Sequence, residues 1–366
     1  MLYYSPSAYL IAVLLTSTYS CDAFLQPTGV FLRRHEGRGP LGATEIEGEE
    51  TILGSKYVLH NKGEQSTSGK STLVDARPRS QQGGTPQQTT PEEDAEAKRQ
   101  RVIIKFSENI MALKREVQNY EKVTTDETRD LFVKVHDFYN PSEKNSPSAL
   151  PKSSANTPQF KGQAALVMER GAQDLKSYLQ ENGPLQGKAL QDAVVKTART
   201  VKACHDQKMV WTELKATNFV IQPNGDSTDI KAIDLESAVP QGGNPIDFSP
   251  EAIPPEFALA YMCGREPFME MEPAFDIFGL GLLWYEMATG SNYWQHYFDE
   301  GEPCQIKIAN ALRTTKDQMP VPASDTVTTT IITEVKELIE KCLKINPKDR
   351  PAVDDLMRHP YLAQVV

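Results

Sequence analysis

Cysteine is scarce and scattered in this chain: Cys21, Cys204, Cys263, Cys304 and Cys342 form no C-x-x-C pair, and no histidine stands at zinc-ligand spacing from them. A structural zinc site is therefore excluded, and the four cysteines after Cys21 are expected as reduced, mostly packed thiols. Positive charge is also short. Against 39 Lys and Arg stand 49 Asp and Glu, for a formal net charge of -10 and a pI near 5.3. That balance excludes a protein that works by neutralising a phosphate backbone or coating anionic lipid, so no nucleic-acid partner is expected. Long hydrophobic runs are missing as well: "YLIAVLL", Tyr9 to Leu15, falls far below the ~20 residues that a bilayer span needs. No membrane span is expected in the mature chain, and no internal repeat is visible.

What is present begins with a leader. The short apolar run is followed by "TSTYSCDA", with Cys21 and Ala23 at the small-residue positions of a cleavage site before Phe24. The next stretch carries Arg33, Arg34 and Arg38 against Glu36, a transit-peptide composition. The junction "CDAFLQP" is similar to the Ala-Phe junction of two-part leaders that direct proteins into plastids of secondary origin; the alternative is the secretory pathway. Residues 1–44 are accordingly set apart from the fold. Two stretches rich in Pro, Ser, Gln and Gly, 77–100 and 140–160, have too few hydrophobes to offset the entropy of ordering and are expected as insertions.

Beyond the leader, Lys56 to Ala76 reads as two short strands around a Gly-Ser-Thr-rich turn. Its "GEQSTSGKS" approaches a Walker A loop, but Gly63 lies one residue too far from Gly69, and no long helix follows. "RVIIKF" reads as a strand that ends near Lys105. "ALKREVQNYEKV" has helical periodicity and carries Glu116 and Glu121. In isolation, such a lysine is a solvated edge charge and either Glu is half of a surface i,i+4 pair. Further on come "AALVMERGAQDLKSYL", "VWTELKATNFV", a hairpin turning at "PNGDST", "IKAIDLESA", "DFSPEAIPPE", "AFDIFGLGLLWYEMATG" and "NPKDRPAVDDLMRHPYL".

In this order and spacing the segments resemble the eukaryotic protein kinases of the Ser/Thr branch, over roughly Thr51 to Leu362. The resemblance implies an α+β, two-lobed fold, with a small β-rich lobe over 51–170 and a larger, mainly helical lobe over 171–364. It implies ATP and Mg2+ as cofactors and a protein substrate. For ATP it implies Gly63 and Gly69 at the two ends of an irregular glycine loop and Lys105 on the phosphates, held by Glu116 with Glu121 as the fallback. Met168 falls at the gatekeeper position, Glu169 to Gly171 would present backbone to adenine, and Asp174 would reach the ribose. Asn218 and Asp234 take the metal positions, Glu213 and Lys215 the catalytic ones, and Ser249 the substrate side. Glu256, Asp276 and Arg350 are scaffold.

The same resemblance exposes departures. Trp211, Thr212 and Glu213 stand for His-Arg-Asp, and Asp234, Leu235 and Glu236 for Asp-Phe-Gly. Glu keeps the carboxylate on a stem longer by one methylene, and a shift on the order of 1 Å can cost about a hundredfold in rate. Trp211 is expected to pack as an apolar body against Leu235. Thr212 removes the arginine that would clamp an activation-loop phosphate, and Ser237 and Ser249 are the only hydroxyl side chains between Glu236 and Glu256. Glu236 adds negative charge near the metals, and its effect is left open between recruiting a cation and repelling ATP. The expectation is a slow Ser/Thr-type kinase, the alternative a pseudokinase that binds nucleotide or serves as a scaffold. A small-molecule kinase on the same fold fits less well, because "SPEAIPPE" matches a peptide-substrate segment.

Overall fold

The computed structural model describes residues 51–53, 56–59, 66–68, 71–78, 101–141, 160, 162–224, 227–295, 319, 321 and 333–363. The leader, Gly63 and Gly69, Cys21 and Cys304, and most of the stretches 77–100 and 140–160 lie outside the described residues. The architecture is α+β and two-lobed.

The small lobe is an antiparallel sheet of β1 (Thr51–Leu53), β2 (Tyr57–Leu59), β3 (Ser66–Ser68), β4 (Ser71–Pro78), β5 (Val102–Ser107), β6 (Val135–Tyr139) and β7 (Ala164–Glu169). Its order is β1-β2-β4-β5-β7-β6, with β3 on β4. The period-two alternation of strand side chains divides it into two faces. Val102, Ile104 and Phe106 of β5, with Ala165 and Val167 of β7, face an outer apolar cluster closed by Tyr139 and Phe160. Phe160 stacks on Phe106 at 4.1 Å between ring centroids, so the end of the second low-complexity stretch is packed. Likewise Arg77 and Pro78, at the start of the first stretch, belong to β4 and pair with Val58 and Tyr57. Lys105 lies between Leu73 and Leu166 in register, on the opposite face of β5 from Ile104. The strand period therefore turns its side chain inward.

Helix α1 (Ile110–Val123) follows directly. Asn109 caps it by accepting the Ala112 N–H at 3.0 Å, and Lys122 sits in its last turn, where a cation meets the negative end of the helix dipole. Its buried residues recur at three- and four-residue spacing, Ala112, Leu113, Glu116, Asn119, Tyr120 and Val123, which puts two polar side chains on the inner face.

The large lobe contains α2 (Leu175–Asn182), α3 (Gly187–Asp206), α4 (Pro255–Met262), α5 (Pro273–Thr289), α6 (Thr333–Cys342), α7 (Val353–Met357) and α8 (Pro360–Ala363). Helix α5 is apolar almost all round and correspondingly buried from Phe275 to Thr289. A side chain on Gly281 would come within 2.8 Å of Cys342 Cβ, so glycine is what lets α6 lie against α5. Three short strand pairs organise the loops: β10 (Phe219–Asn224) with β8 (Gln173–Asp174) on one side and with β11 (Ser227–Ala232) on the other, and β9 (Met209–Val210) with β12 (Val239–Pro240). Cys204 and Cys342 are buried free thiols, whereas Cys263 is exposed. Among the described residues no helix is long and apolar enough to cross a membrane.

Candidate active site

Lys105 is the hub of the cleft. Its Nζ lies 2.9 Å from Glu116 Oε2, 3.0 Å from Asp234 Oδ1 and 3.3 Å from Glu236 Oε2. The Lys105 side chain is 7% exposed and that of Glu116 0%. Burial alone would lower an ammonium's pKa, but the charges of Glu116 and Asp234, and then Glu236, outweigh it and hold Lys105 above its usual range. Burial pushes Glu116 up to about 7 against the pull of Lys105, with Asp234 and Glu236 adding to the rise. Glu121, the fallback partner, is exposed on another face of α1.

The turn that carries Asp234 is held by helix α1 through two i,i+4 pairs of side chains. Arg115 Nε donates to the Glu236 carbonyl at 2.9 Å, and Asn119 Nδ2 donates to the carbonyls of Leu235 and Ala238 at 2.9 and 3.0 Å. Glu116 takes Lys105, and the Tyr120 hydroxyl accepts the Asp234 N–H at 3.1 Å. Burial, with the nearby charges of Glu116 and Asp234, holds Tyr120 well above its usual range, so the hydroxyl stays protonated. Asp234 itself adopts φ of 63°, a left-handed conformation that Asp tolerates better than most residues.

From the other side the turn is held by Trp211, and here the expectation needs correction. The indole is fully buried and reaches Phe219 at 5.3 Å between ring centroids, but it is more than an apolar body. Its Nε1–H donates to the Asp234 carbonyl at 3.0 Å. A buried indole N–H requires an acceptor, which is the signal in the sequence that points to this contact. Two further bonds join loop and turn: Ser237 Oγ donates to the Trp211 carbonyl at 3.0 Å, and Thr212 Oγ1 to the Ser237 carbonyl at 3.3 Å.

Below the loop, Asp276 at the start of α5 accepts the backbone N–H of Trp211 at 2.8 Å and of Thr212 at 2.9 Å, with His205 Nε2 at 3.0 Å. These bonds hold Thr212 at φ of 71°, a left-handed conformation that a β-branched residue adopts at a cost of about 1–3 kcal/mol. The scaffold pair behaves as its residue types suggest. Arg350 donates from both terminal nitrogens to Glu256, each at 2.7 Å, and lies over the Phe278 ring.

The residues expected as catalytic converge as well. Glu213 Oε1 accepts from Ser249 Oγ at 2.7 Å and from Lys215 Nζ at 3.2 Å, and Lys215 also donates to Ser249 Oγ. Asn218 Nδ2 donates to the Glu213 carbonyl at 3.0 Å, which leaves its side-chain oxygen as the atom to offer a metal. The β10–β11 hairpin sets Phe219 opposite Ala232, and the Ile233 N–H bonds to the Asn218 carbonyl at 2.9 Å. Asn218 and Asp234 therefore flank the same end of one hairpin. The donor set, one carboxamide oxygen and one carboxylate, suits a hard cation such as Mg2+.

The sequence over residues 104–362, which carries all of these groups, matches a family model described as the protein kinase domain. The chain belongs to the protein kinase family. Its curated relatives include the mitogen-activated protein kinase kinase kinase YODA of Arabidopsis thaliana, 27% identical over 51% of this chain and 19% of the relative. The serine/threonine-protein kinase pim-2 of Danio rerio is 24% identical over 56% and 59%. PkaA, a serine/threonine-protein kinase of Streptomyces coelicolor, is 26% identical over 53% and 33%. The matched region thus spans less than two thirds of each of these relatives.

In this member of the family the remaining expected positions fall around the connection between lobes. Met168 is buried at the end of β7, in register with Ile103 and Val135. The Glu169 N–H goes to the Lys134 carbonyl at 2.8 Å, and its carboxylate takes Lys231 at 2.7 and 2.9 Å. A Cβ on Gly171 would meet Val220 Cβ at 2.4 Å, so only glycine lets the connection approach β10 so closely. Asp174 caps α2, accepting the Ser177 N–H at 2.9 Å and Ser177 Oγ at 2.6 Å, so its carboxylate already has local partners.

Proposed function

We propose that this chain is a Ser/Thr-type protein kinase that transfers the γ-phosphate of ATP to a protein hydroxyl, with attenuated turnover. The observation that carries the proposal is the Glu213, Lys215 and Ser249 cluster: a carboxylate within hydrogen-bond reach of a hydroxyl, beside a lysine that can meet phosphate charge. Asn218 and Asp234 would hold Mg2+, which, when bound, neutralises charge on the phosphates.

Lys105 would hold the α- and β-phosphates, kept in the cleft by Glu116. The Glu213 carboxylate accepts the proton of the acceptor hydroxyl as its oxygen attacks the γ-phosphorus, and the bond from that phosphorus to the bridging oxygen breaks to leave ADP. Such general-base help is worth about 10²- to 10⁴-fold. Turnover is attenuated because the carboxylate sits on the longer glutamate stem. The test is transfer from MgATP to generic acceptor proteins by the chain from Ala43 onward, with Lys105→Met and Glu213→Ala alongside. Transfer lost in Lys105→Met and reduced at least a hundredfold in Glu213→Ala is expected; transfer that persists in both variants contradicts the proposal.

A pseudokinase that binds nucleotide without transfer is the second reading, favoured by one observation. The Glu236 carboxylate sits 3.3 Å from Lys105, on the ammonium that phosphates need. MgATP binding by the wild type with no transfer to any acceptor supports this second reading.

A further inference from the structure

Three carboxylates, Glu116, Asp234 and Glu236, each bring an oxygen to within 4.8 Å of the others, and Lys105 is the ammonium they share. The Arg115 guanidinium gives its Nε–H to the Glu236 backbone carbonyl. Acidic clusters are common, and proximity alone says little. A second observation points to a ligand: Glu116 is fully buried, Oε2 is bound to Lys105, and Oε1 has no hydrogen-bond partner. An unsatisfied carboxylate oxygen in a dry site is costly unless a donor or metal completes it. Because the two oxygens share one carbon, the orphan lies beside the cluster itself.

We propose that Glu236 completes a divalent-cation site with Asp234 and the free oxygen of Glu116, and that this site loads without nucleotide. In the expected metal pair, Asn218 and Asp234, there is one carboxylate, and phosphate oxygens would supply the remaining ligands. In the cluster around Glu236 the protein itself offers three carboxylate oxygens, with one ammonium as the competing cation. The chemistry selects a hard dication such as Mg2+ or Mn2+. The site goes beyond phosphoryl transfer and does not depend on it, since a chain without transferase activity can still load the cation.

The test is Mn2+ titration of the nucleotide-free chain followed by electron paramagnetic resonance, where the free-ion signal falls as the ion binds. Saturable binding of about one ion is expected in the wild type. Glu236→Gln should weaken it at least tenfold, and the exposed Glu121→Gln should leave it unchanged. Lys105→Met, which removes the competing ammonium, should tighten Mn2+ binding even though it abolishes transfer, so failure of this inference and failure of the kinase proposal read out separately. Absence of saturable binding in the wild type, or equal binding by Glu236→Gln and Glu121→Gln, overturns the inference. So does weaker binding by Lys105→Met.

Discussion

The loop from Trp211 to Asn218 and the turn from Asp234 to Ser237 are bonded to each other, and both depart from the kinase pattern, but the departures have different physical weight. In the loop each substitution keeps a group that the position can use. Trp211 supplies an N–H donor to the Asp234 carbonyl, Thr212 keeps its backbone N–H on Asp276, and Glu213 keeps a carboxylate on Ser249 and Lys215. In the turn, Glu236 stands where the family has glycine and adds a charge that settles on Lys105. Replacing one hydrogen-bonding group by another moves a functional atom by about a bond length at most, whereas a new carboxylate in a half-buried site adds a charge to it.

The comparison breaks most visibly if the loop loses its anchor. Asp276→Ala leaves two buried backbone N–H groups without an acceptor, at about 1–3 kcal/mol each, and relaxation of the strained Thr212 offsets only part of this, for a net cost of about 2 kcal/mol. Urea denaturation should show the midpoint falling accordingly; an unchanged midpoint would mean that the loop does not rest on Asp276.

Glu213→Asp sharpens the same contrast on the loop side. Restoring the shorter stem should raise kcat on the order of tenfold, about 1.4 kcal/mol in the barrier. Steady-state kinetics that show a fall instead would mean that the surrounding loop has adjusted to the longer residue. The smallest effect is expected from Trp211→Phe, which keeps the ring and deletes the indole donor. It should cost about 1 kcal/mol, a drop in Tm of a few degrees by calorimetry. No shift would return Trp211 to a purely apolar role.

Much of this was legible in the sequence because several signals are local. The strand period puts Lys105 on the inner face, the family spacing offers Glu116 with Glu121 as the fallback and the structure takes Glu116, and the spacing from Glu213 to Asn218 survives intact. The Glu256–Arg350 pair was equally readable, although 94 residues separate its members. What the sequence withheld depends on orientation. Arg115, Asn119 and Tyr120 look like ordinary helix residues until the helix is seen to lie over the turn, and only then do they meet the backbone from Asp234 to Ala238. The direction of the Glu236 side chain likewise depends on a turn whose backbone is set by contacts from two other segments. Asp174, read for a ligand, also caps the helix that it precedes.

The central claim is that Lys105, Asn218 and Asp234 converge on one triphosphate and its metal ion. Isothermal titration of MgATP into the wild type, Lys105→Met and Asp234→Asn tests it most directly. The account predicts saturable binding by the wild type, with affinity at least tenfold weaker in each variant. Wild-type binding that is absent at millimolar nucleotide, or equal across all three proteins, would contradict it.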